Sequence, residues 1–211
     1  MTIPPTVATA RIRPIDDSDR DALTAFYAAL SPDSREARFH GASSGLGGGA
    51  ARYLCGPDHD HREGLVAEVS DADGATTIIG HVCIEPTGTG EAEMAIAVAD
   101  VWQHHGIGRR LLAEAIVWAR AHGFVRLVAS VRLGNSAILG LIGSMDRVVT
   151  MGDCDGGVVD AVIDLREPKR ASTPPDGGRV RSDAWDRPQG ATILSTAPVV
   201  PTGPRLVRVR T

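Results

Sequence analysis

A glutamine and two glycines follow a short apolar run near the middle of the chain. The run covers 94–98, and Gln103, Gly106 and Gly108 come after it. A glycine has no Cβ, so the backbone can take a positive φ there and a ligand can approach it closely. Where a helix begins, the first N–H groups have no internal partners and the helix end carries a positive partial charge. The order strand, glycine turn, helix therefore predicts a site for a phosphate or a diphosphate.

Apolar residues recur at helical spacing directly after this loop, which predicts a helix that starts at Ile107. Arg109 and Arg110 fall in its first turn, where a helix on its own favours acidic side chains. An anion bound at the turn would explain them; a helix start with solvated arginines is the other interpretation. The loop has neither the Gly-x-Gly-x-x-Gly spacing of a dinucleotide-binding fold nor the Gly-Lys-Ser/Thr of a P-loop.

The segment Gln103-x-x-Gly106-x-Gly108, with Val98 five positions before the glutamine, carries a family likeness. It resembles the acyl-CoA-binding motif of the GNAT superfamily of N-acetyltransferases. The motif is fairly specific because strand, loop and helix recur in the same order, and the likeness covers about residues 11–166.

The likeness continues on both sides of the motif. Residues 93–98 are similar to the fourth strand of that family, and 125–131 are similar to its fifth strand. The helix headed by Asn135 resembles the helix that follows it. A closer similarity, carried by 30–39 and 92–98, is to the GNAT subgroup that includes bacterial protein lysine acetyltransferases.

This resemblance implies an α+β fold with a mixed, mostly antiparallel sheet, helices on both faces, and acetyl-CoA as cosubstrate without a metal. It implies that the backbone of 96–98 pairs with the pantetheine arm and that the glycine loop wraps the diphosphate. Asn135 would contact the arm, although asparagine is a good helix cap whatever the function. The implied cofactor-binding residues are Ile96, Ala97, Val98, Gln103, His104, His105, Gly106, Ile107, Gly108, Arg109 and Asn135.

Acyl transfer from a thioester to an amine needs a neutral amine, a stabilised oxyanion and a proton for the departing thiolate. By resemblance, Glu93 is the general base that deprotonates the amine, and its odd spacing from Val98 places the two side chains on opposite sheet faces. A solvated carboxylate at the strand end is the alternative. Glu91 is the nearest rival, and Glu85 on the preceding strand is less favoured. Many GNAT enzymes carry a tyrosine as general acid where this chain has Ile142, so the group that protonates the thiolate stays open.

Composition is that of a globular protein, with 43 % hydrophobic residues among 211. The cysteines are three in number and widely spaced, which argues against a disulfide framework or a zinc site and favours a reducing compartment. The sequence shows neither a signal-peptide pattern nor 18 consecutive apolar residues. These features predict a cytoplasmic location and no membrane partner.

Charge is unevenly distributed along the chain. Eight basic and three acidic residues give 168–211 a net charge of +5, and since the whole chain carries −4, this leaves −9 for 1–167. An acidic body repels nucleic acid and attracts a cationic amine or a surface that bears lysines. We therefore expect an amine acceptor, either a small molecule or a protein lysine, and no nucleic-acid partner. The chain is expected to be a monomer or a homodimer.

The chain divides at Pro168 into a GNAT-like domain, 1–167, and a basic, proline-rich tail, 168–211, predicted to be disordered or loosely docked. The glycine-rich segment 43–49 is predicted to be a mobile loop near the substrate. Strands are expected at 10–15, 64–69, 76–84, 92–98, 126–131, 147–151 and 157–165, and helices at 16–30, after Ser31, from Ile107 and from Asn135.

Taken together, these features predict an acetyl-CoA-dependent N-acetyltransferase that acts on a primary amine. A non-catalytic acyl-CoA-binding module, used for sensing or assembly, is the alternative. Two features keep it open: the isoleucine at position 142, and the glycines Gly140 and Gly143 inside the predicted last helix.

Overall fold

The fold is taken from a computed structural model, which describes residues 10–39 and 45–168. The predicted tail, apart from Pro168, and part of the glycine-rich segment lie outside the described residues. The strands are β1 Arg11–Pro14, β2 Glu63–Ser70, β3 Thr76–Gly88, β4 Glu91–Val98, β5 Arg126–Arg132, β6 Arg147–Asp155 and β7 Val158–Pro168. The helices are α1 Arg20–Ala29, α2 Pro32–Phe39, α3 Gly48–Leu54, α4 Ile107–Ala121 and α5 Ser136–Gly143.

The seven strands form one sheet in the order β1-β2-β3-β4-β5-β7-β6. Every neighbouring pair is antiparallel except β4 and β5, which run parallel. A parallel pair needs a long crossover, and α4 supplies it between these two strands. The predicted mixed, mostly antiparallel sheet is confirmed, with β4 at its centre.

Each face of the sheet carries its own apolar core. On one face the inner residues of α4, among them Leu111 and Ala115, pack with Met94 of β4 and Leu127 of β5. On the other face α1 and α3 pack on the first strands, and Tyr27 is fully buried. The predicted placement of helices on both faces is therefore confirmed.

The sheet splits between β4 and β5. Their ladder joins three residue pairs, Glu91 with Arg126, Ala92 with Leu127 and Glu93 with Val128. From residue 94 onward β4 pairs, among the described residues, with β3 alone. The two central strands thus diverge, and one backbone edge of β4 faces an opening.

Two local predictions differ from the structure. The segment 43–49 was expected to be a loop throughout, but α3 begins at Gly48, where burial of Ala51 in the core outweighs the low helix propensity of glycine. The helix expected over 16–30 divides into a 3-10 turn at Asp17–Asp19 and α1. Asp16 caps the turn with its side chain, and Asp19 returns the bond in a capping box.

Candidate active site

A cleft of about 830 Å³ follows the opening between β4 and β5. It runs from the N-terminus of α4, along the free edge of β4, and beneath α2 and α5. The predicted cofactor residues that line it are Ile96, Ala97, Val98, Gln103, His104, Gly106, Gly108, Arg109 and Asn135. The remaining predicted site residues, Glu93, His105 and Ile107, do not line it.

The N-terminus of α4 has the geometry of an anion site. Gly106 precedes the helix with φ +83°, a left-handed conformation that suits glycine, and its carbonyl accepts from the Arg110 N–H at 3.1 Å. Among the described residues, no side chain caps the helix, so its first N–H groups are available to a ligand. Arg109 lines the cleft beside them. Arg110 instead donates from Nη2 to the Ala10 carbonyl at 2.8 Å. This contact accounts for an arginine at this position in the first turn of α4 without a bound anion.

Three residues of the predicted diphosphate loop use their side chains elsewhere. Gln103 Nε2 lies 3.2 Å from the Val98 carbonyl and 3.2 Å from Ser34 Oγ, so it ties the end of β4 to α2. His105 Nδ1 lies 2.6 Å from the Gln103 carbonyl oxygen. Ile107 is 1 % exposed and belongs to the core. The side chains of His105 and Ile107 therefore shape the loop from outside the cleft. That the backbone N–H groups of these two residues contact the diphosphate stays a prediction.

The free edge of β4 offers backbone groups to an amide-bearing ligand. The Ala99 N–H donates to the Ile79 carbonyl on β3 at 2.9 Å. Because successive backbone groups of an extended chain point to opposite sides, those of Val98 and Ile96 face the opening. A ligand with amides at the right spacing can pair there as an added strand would.

Asn135 both caps a helix and lines the cleft, the two possibilities that the sequence left open. It is the N-cap of α5, and its Oδ1 accepts from the Ile138 N–H at 3.2 Å. The same residue lines the cleft. A contact with a ligand therefore does not require Asn135 to leave its cap.

Helix α2 forms one wall of the cleft. Asp100, which follows β4, anchors the start of this helix by accepting from the Ser31 N–H at 2.9 Å and from Ser34 Oγ at 2.6 Å. Burial opposes ionisation of Asp100, but these hydrogen bonds prevail and its pKa is lowered. Glu36 of α2 forms an ion pair with Arg132 of β5, and both residues line the cleft. The pattern Ser31-Pro32 predicted the helix; only the tertiary fold shows what the helix faces.

Glu93 lies at the last pair of the β4–β5 ladder, where the opening begins. It is half-buried, and across β3 it stands directly opposite Glu85. Its side chain is on the sheet face that carries α1 and α2, whereas Val98 packs against the core under α4. This agrees with the prediction from their odd spacing that the two side chains lie on opposite faces of the sheet. Glu93 thus lies beside the end of the cleft at which β4 and β5 still pair, which we call the closed end.

The two rival carboxylates each have a basic partner. Glu91 forms an ion pair with Arg126 at the start of the ladder. Glu85 accepts from the Tyr53 hydroxyl at 2.8 Å and lies 3.5 Å from Arg62 Nη1. Burial raises the pKa of Glu85 despite these partners. Of the three candidates, Glu93 is the one that stands where the strands part.

A buried polar cluster lies between α1, α2 and β3 at this end of the cleft. Arg38 Nε donates to the Tyr27 hydroxyl at 3.2 Å, and that hydroxyl lies 2.9 Å from His81 Nδ1. Since the guanidinium can only donate, the tyrosine proton is directed to the histidine, and Nδ1 accepts it. Arg38 Nη2 lies 3.3 Å from Cys83 Sγ. Burial raises the pKa of Tyr27 to about 12, and burial with the Arg38 charge lowers the pKa of His81 to about 3.

Two features are absent from the described part of the chain, namely a group of at least three metal-ligating side chains and a helix that could span a membrane. Within 10–39 and 45–168, the side chains of His, Cys, Asp and Glu form no such group that could hold a metal ion. In the same ranges no helix is long and apolar enough to cross a membrane.

Comparison with known proteins gives consistent matches. The model of the acetyltransferase (GNAT) family matches residues 23–142, more than half of the chain. An acetyltransferase of Pseudomonas aeruginosa is 29 % identical over 145 residues, which cover 64 % of this chain and 76 % of that protein.

Solved structures show the same architecture. The GNAT domain of PAT from S. lividans superposes with a TM-score of 0.65 at 28 % identity, over 74 % of this chain and 90 % of that one. An acetyltransferase from Salmonella typhimurium, solved with acetyl-CoA, has a TM-score of 0.58 at 20 % identity, over 81 % and 99 %. At that identity the second structure supports the fold alone.

Proposed function

The chain belongs to the acetyltransferase (GNAT) family, and we propose that it transfers an acetyl group from acetyl-CoA to a primary amine. The observation that carries this proposal is the meeting of two free backbone surfaces in one cleft. The uncapped N-terminus of α4 suits a diphosphate, and the open edge of β4 suits a chain of amides. Coenzyme A carries both groups in the order in which the cleft presents them.

We assign the general base to Glu93. An amine such as lysine, with an ordinary pKa of about 10.4, is charged at neutral pH and must lose a proton before it attacks. Glu93 stands where the strands part, so it can accept that proton directly or through one water. The amine nitrogen then attacks the thioester carbonyl carbon, and a β4 backbone N–H that faces the opening stabilises the oxyanion.

For the acceptor we favour a protein lysine over a small amine. The segment 1–167 carries a net charge of −9, which steers cationic partners toward it. Lysine presents its amine on a long flexible stem, so it can reach a base beside the closed end of the cleft. The similarity of residues 30–39 and 92–98 to the protein lysine acetyltransferase subgroup supports the same acceptor.

The decisive experiment compares Glu93→Gln with Glu91→Gln as the matched control on the same strand. Acetyl-CoA turnover is measured against panels of amines and peptides, and CoA affinity is measured by calorimetry. For Glu93→Gln we expect turnover to fall about 100-fold, within the usual range for loss of a general base, with CoA affinity retained. Glu91→Gln should leave turnover nearly unchanged.

Other outcomes have defined meanings. Unchanged turnover in Glu93→Gln would remove Glu93 as the base. A wild-type protein that binds CoA but acetylates no member of either panel would favour the sensor or assembly module. A wild-type protein that binds neither CoA nor acetyl-CoA would overturn both functions.

A further inference from the structure

The closed end of the cleft must accommodate negative charge during acyl transfer. When the carbon–sulfur bond breaks, its electron pair stays on the sulfur, and the thiolate needs a proton or a nearby cation. Of the described residues that line the cleft, none is a tyrosine, a cysteine or a lysine. The cationic side chains that line it are Arg38, Arg109 and Arg132.

Two of these arginines have other placements. Arg109 lies in the first turn of α4, at the end suited to the diphosphate. Arg132 forms an ion pair with Glu36 across the cleft. Arg38 remains as the cation at the closed end.

Arg38 has an unused donor in a buried position. The residue is 2 % exposed, and within the described part of the chain its Nη1 has no hydrogen-bond partner. Its Nε and Nη2 are occupied by Tyr27 and Cys83. Leaving a buried charged donor unpaired is costly, so such groups in proteins usually meet a ligand or a water. Because Arg38 lines the cleft, a bound ligand can supply the missing acceptor.

The strand register fixes where this donor lies. Cys83, which is in contact with the guanidinium, pairs with Ala95 across β3 and β4. Ala95 is two residues after Glu93, a distance of about 7 Å along a strand. The guanidinium is therefore close to the point where β4 leaves β5, on the same sheet face as the proposed base. The electrostatic interaction between Arg38 and Glu93 is consistent with this separation.

We propose that Arg38 is a catalytic residue whose Nη1 donates a hydrogen bond to the thioester sulfur as the carbon–sulfur bond breaks. The inference rests on the proposed acetyltransferase function. The ammonium gives its first proton to Glu93, and the neutral nitrogen then bonds to the carbonyl carbon. As the carbon–sulfur bond breaks, its electron pair stays on sulfur and the nitrogen gives its second proton to water. Arg38 transfers no proton, because a guanidinium stays protonated in proteins. The thiolate takes its proton from water after release.

The guanidinium is held rigidly for this role. It lies 5.1 Å from the centre of the Phe39 ring and 5.7 Å from that of Tyr27, within cation–π range. The titratable or charged groups that face it are Tyr27 from α1, His81 and Cys83 from β3, and Glu93 from β4. Burial raises the pKa of Tyr27 and of Cys83 and lowers the pKa of His81, so these three groups are uncharged at neutral pH.

The test uses bound CoA, whose thiol reports the charge around the sulfur. The pKa of the thiol in the complex is read from the ultraviolet absorbance of the thiolate during a pH titration. It is compared between wild type, Arg38→Met and Arg38→Lys. Arg35→Met is the matched control, since Arg35 lies on the same helix, does not line the cleft, and donates to the Ala28 carbonyl.

In wild type the thiol should titrate at least about one pH unit below the pKa of the same thiol in free CoA, which is measured alongside. In Arg38→Met it should return to that value, and the turnover number should fall about 100-fold with little change in CoA affinity. Arg38→Lys should recover part of both effects, and Arg35→Met should match wild type.

If CoA binds to wild type and Arg38→Met with the same thiol pKa, the proposal is overturned while the acetyltransferase function stands. Loss of turnover in Arg38→Met without a change in thiol pKa would also overturn it, since misfolding or misplacement of α2 would produce that result. Failure of the wild-type protein to bind CoA would refute the proposed function itself.

Discussion

Burial of His81 makes the stability of this protein sensitive to mild acid. The imidazole is fully buried, and burial together with the Arg38 charge lowers its pKa from 6.5 to about 3. In the unfolded chain the same group takes up a proton near pH 6.5. The neutral histidine therefore contributes its full stability above pH 6.5, and this contribution is lost as the pH falls from 6.5 toward 3.

The size of the effect follows from the same two values. A pH of 5 is about 1.5 units below the pKa of the histidine in the unfolded chain, so the histidine is protonated in that state. In the folded state the same histidine is still unprotonated at pH 5. At about 1.4 kcal/mol per unit, the proton bound only by the unfolded chain costs the folded state about 2 kcal/mol.

Urea unfolding of wild type and His81→Asn at pH 7.5 and pH 5.0 measures this cost. The asparagine amide oxygen can take the place of Nδ1 as acceptor for the Tyr27 hydroxyl, which keeps the cluster hydrogen-bonded. Contributions from carboxylates and from the other histidines are common to both proteins and cancel. We expect the free energy of unfolding of wild type to drop by about 2 kcal/mol more than that of the variant. Equal drops would show that His81 is protonated in the folded state and would refute the buried neutral cluster.

Two further predictions concern packing and capping. A Cβ added at Gly64 would lie 2.6 Å from Ile15 Cγ2, so Gly64→Ala should destabilise the fold by about 1–3 kcal/mol in urea unfolding. Gly88→Ala, with open space around the new methyl group, is its control, and an equal loss there would contradict the steric argument. Asn135→Ala removes the cap bond to the Ile138 N–H and should cost about 1 kcal/mol, whereas Asn135→Asp should retain most of it. An Asp variant as unstable as the Ala variant would count against the cap.

The strands and the motif helix were predictable because their patterns are local. Two short runs typical of strands, separated by turn residues, predicted β2 and β3, and Gly74 between them has a positive φ. Helical spacing after Gly106 gave the start of α4 at Ile107. The family likeness gave the order of these elements. All of this information lies within a few residues of the feature that it predicts.

The rest depends on which segments meet in space. Nothing near Arg38 in the sequence indicates that it would be buried against Cys83, 45 residues away. In the same way, a strand pattern shows that Glu93 alternates with its neighbours, but only the ladder shows that pairing with β5 ends there. The motif marks Ile107 as a backbone position, and only the structure shows that its side chain belongs to the core.

Because the ladder between β4 and β5 is incomplete, binding of a ligand in the cleft should change the stability of the folded protein. Without a ligand in the cleft, the N–H groups of 94–98 that face the opening should exchange their protons with solvent quickly, although they belong to the central strand. A ligand that completes the ladder would slow that exchange and raise the melting temperature. At a ligand concentration of 100 times the dissociation constant, the free energy of unfolding would increase by about 2.7 kcal/mol. Deuterium uptake along this strand therefore measures the fraction of the protein that has a ligand bound in the cleft.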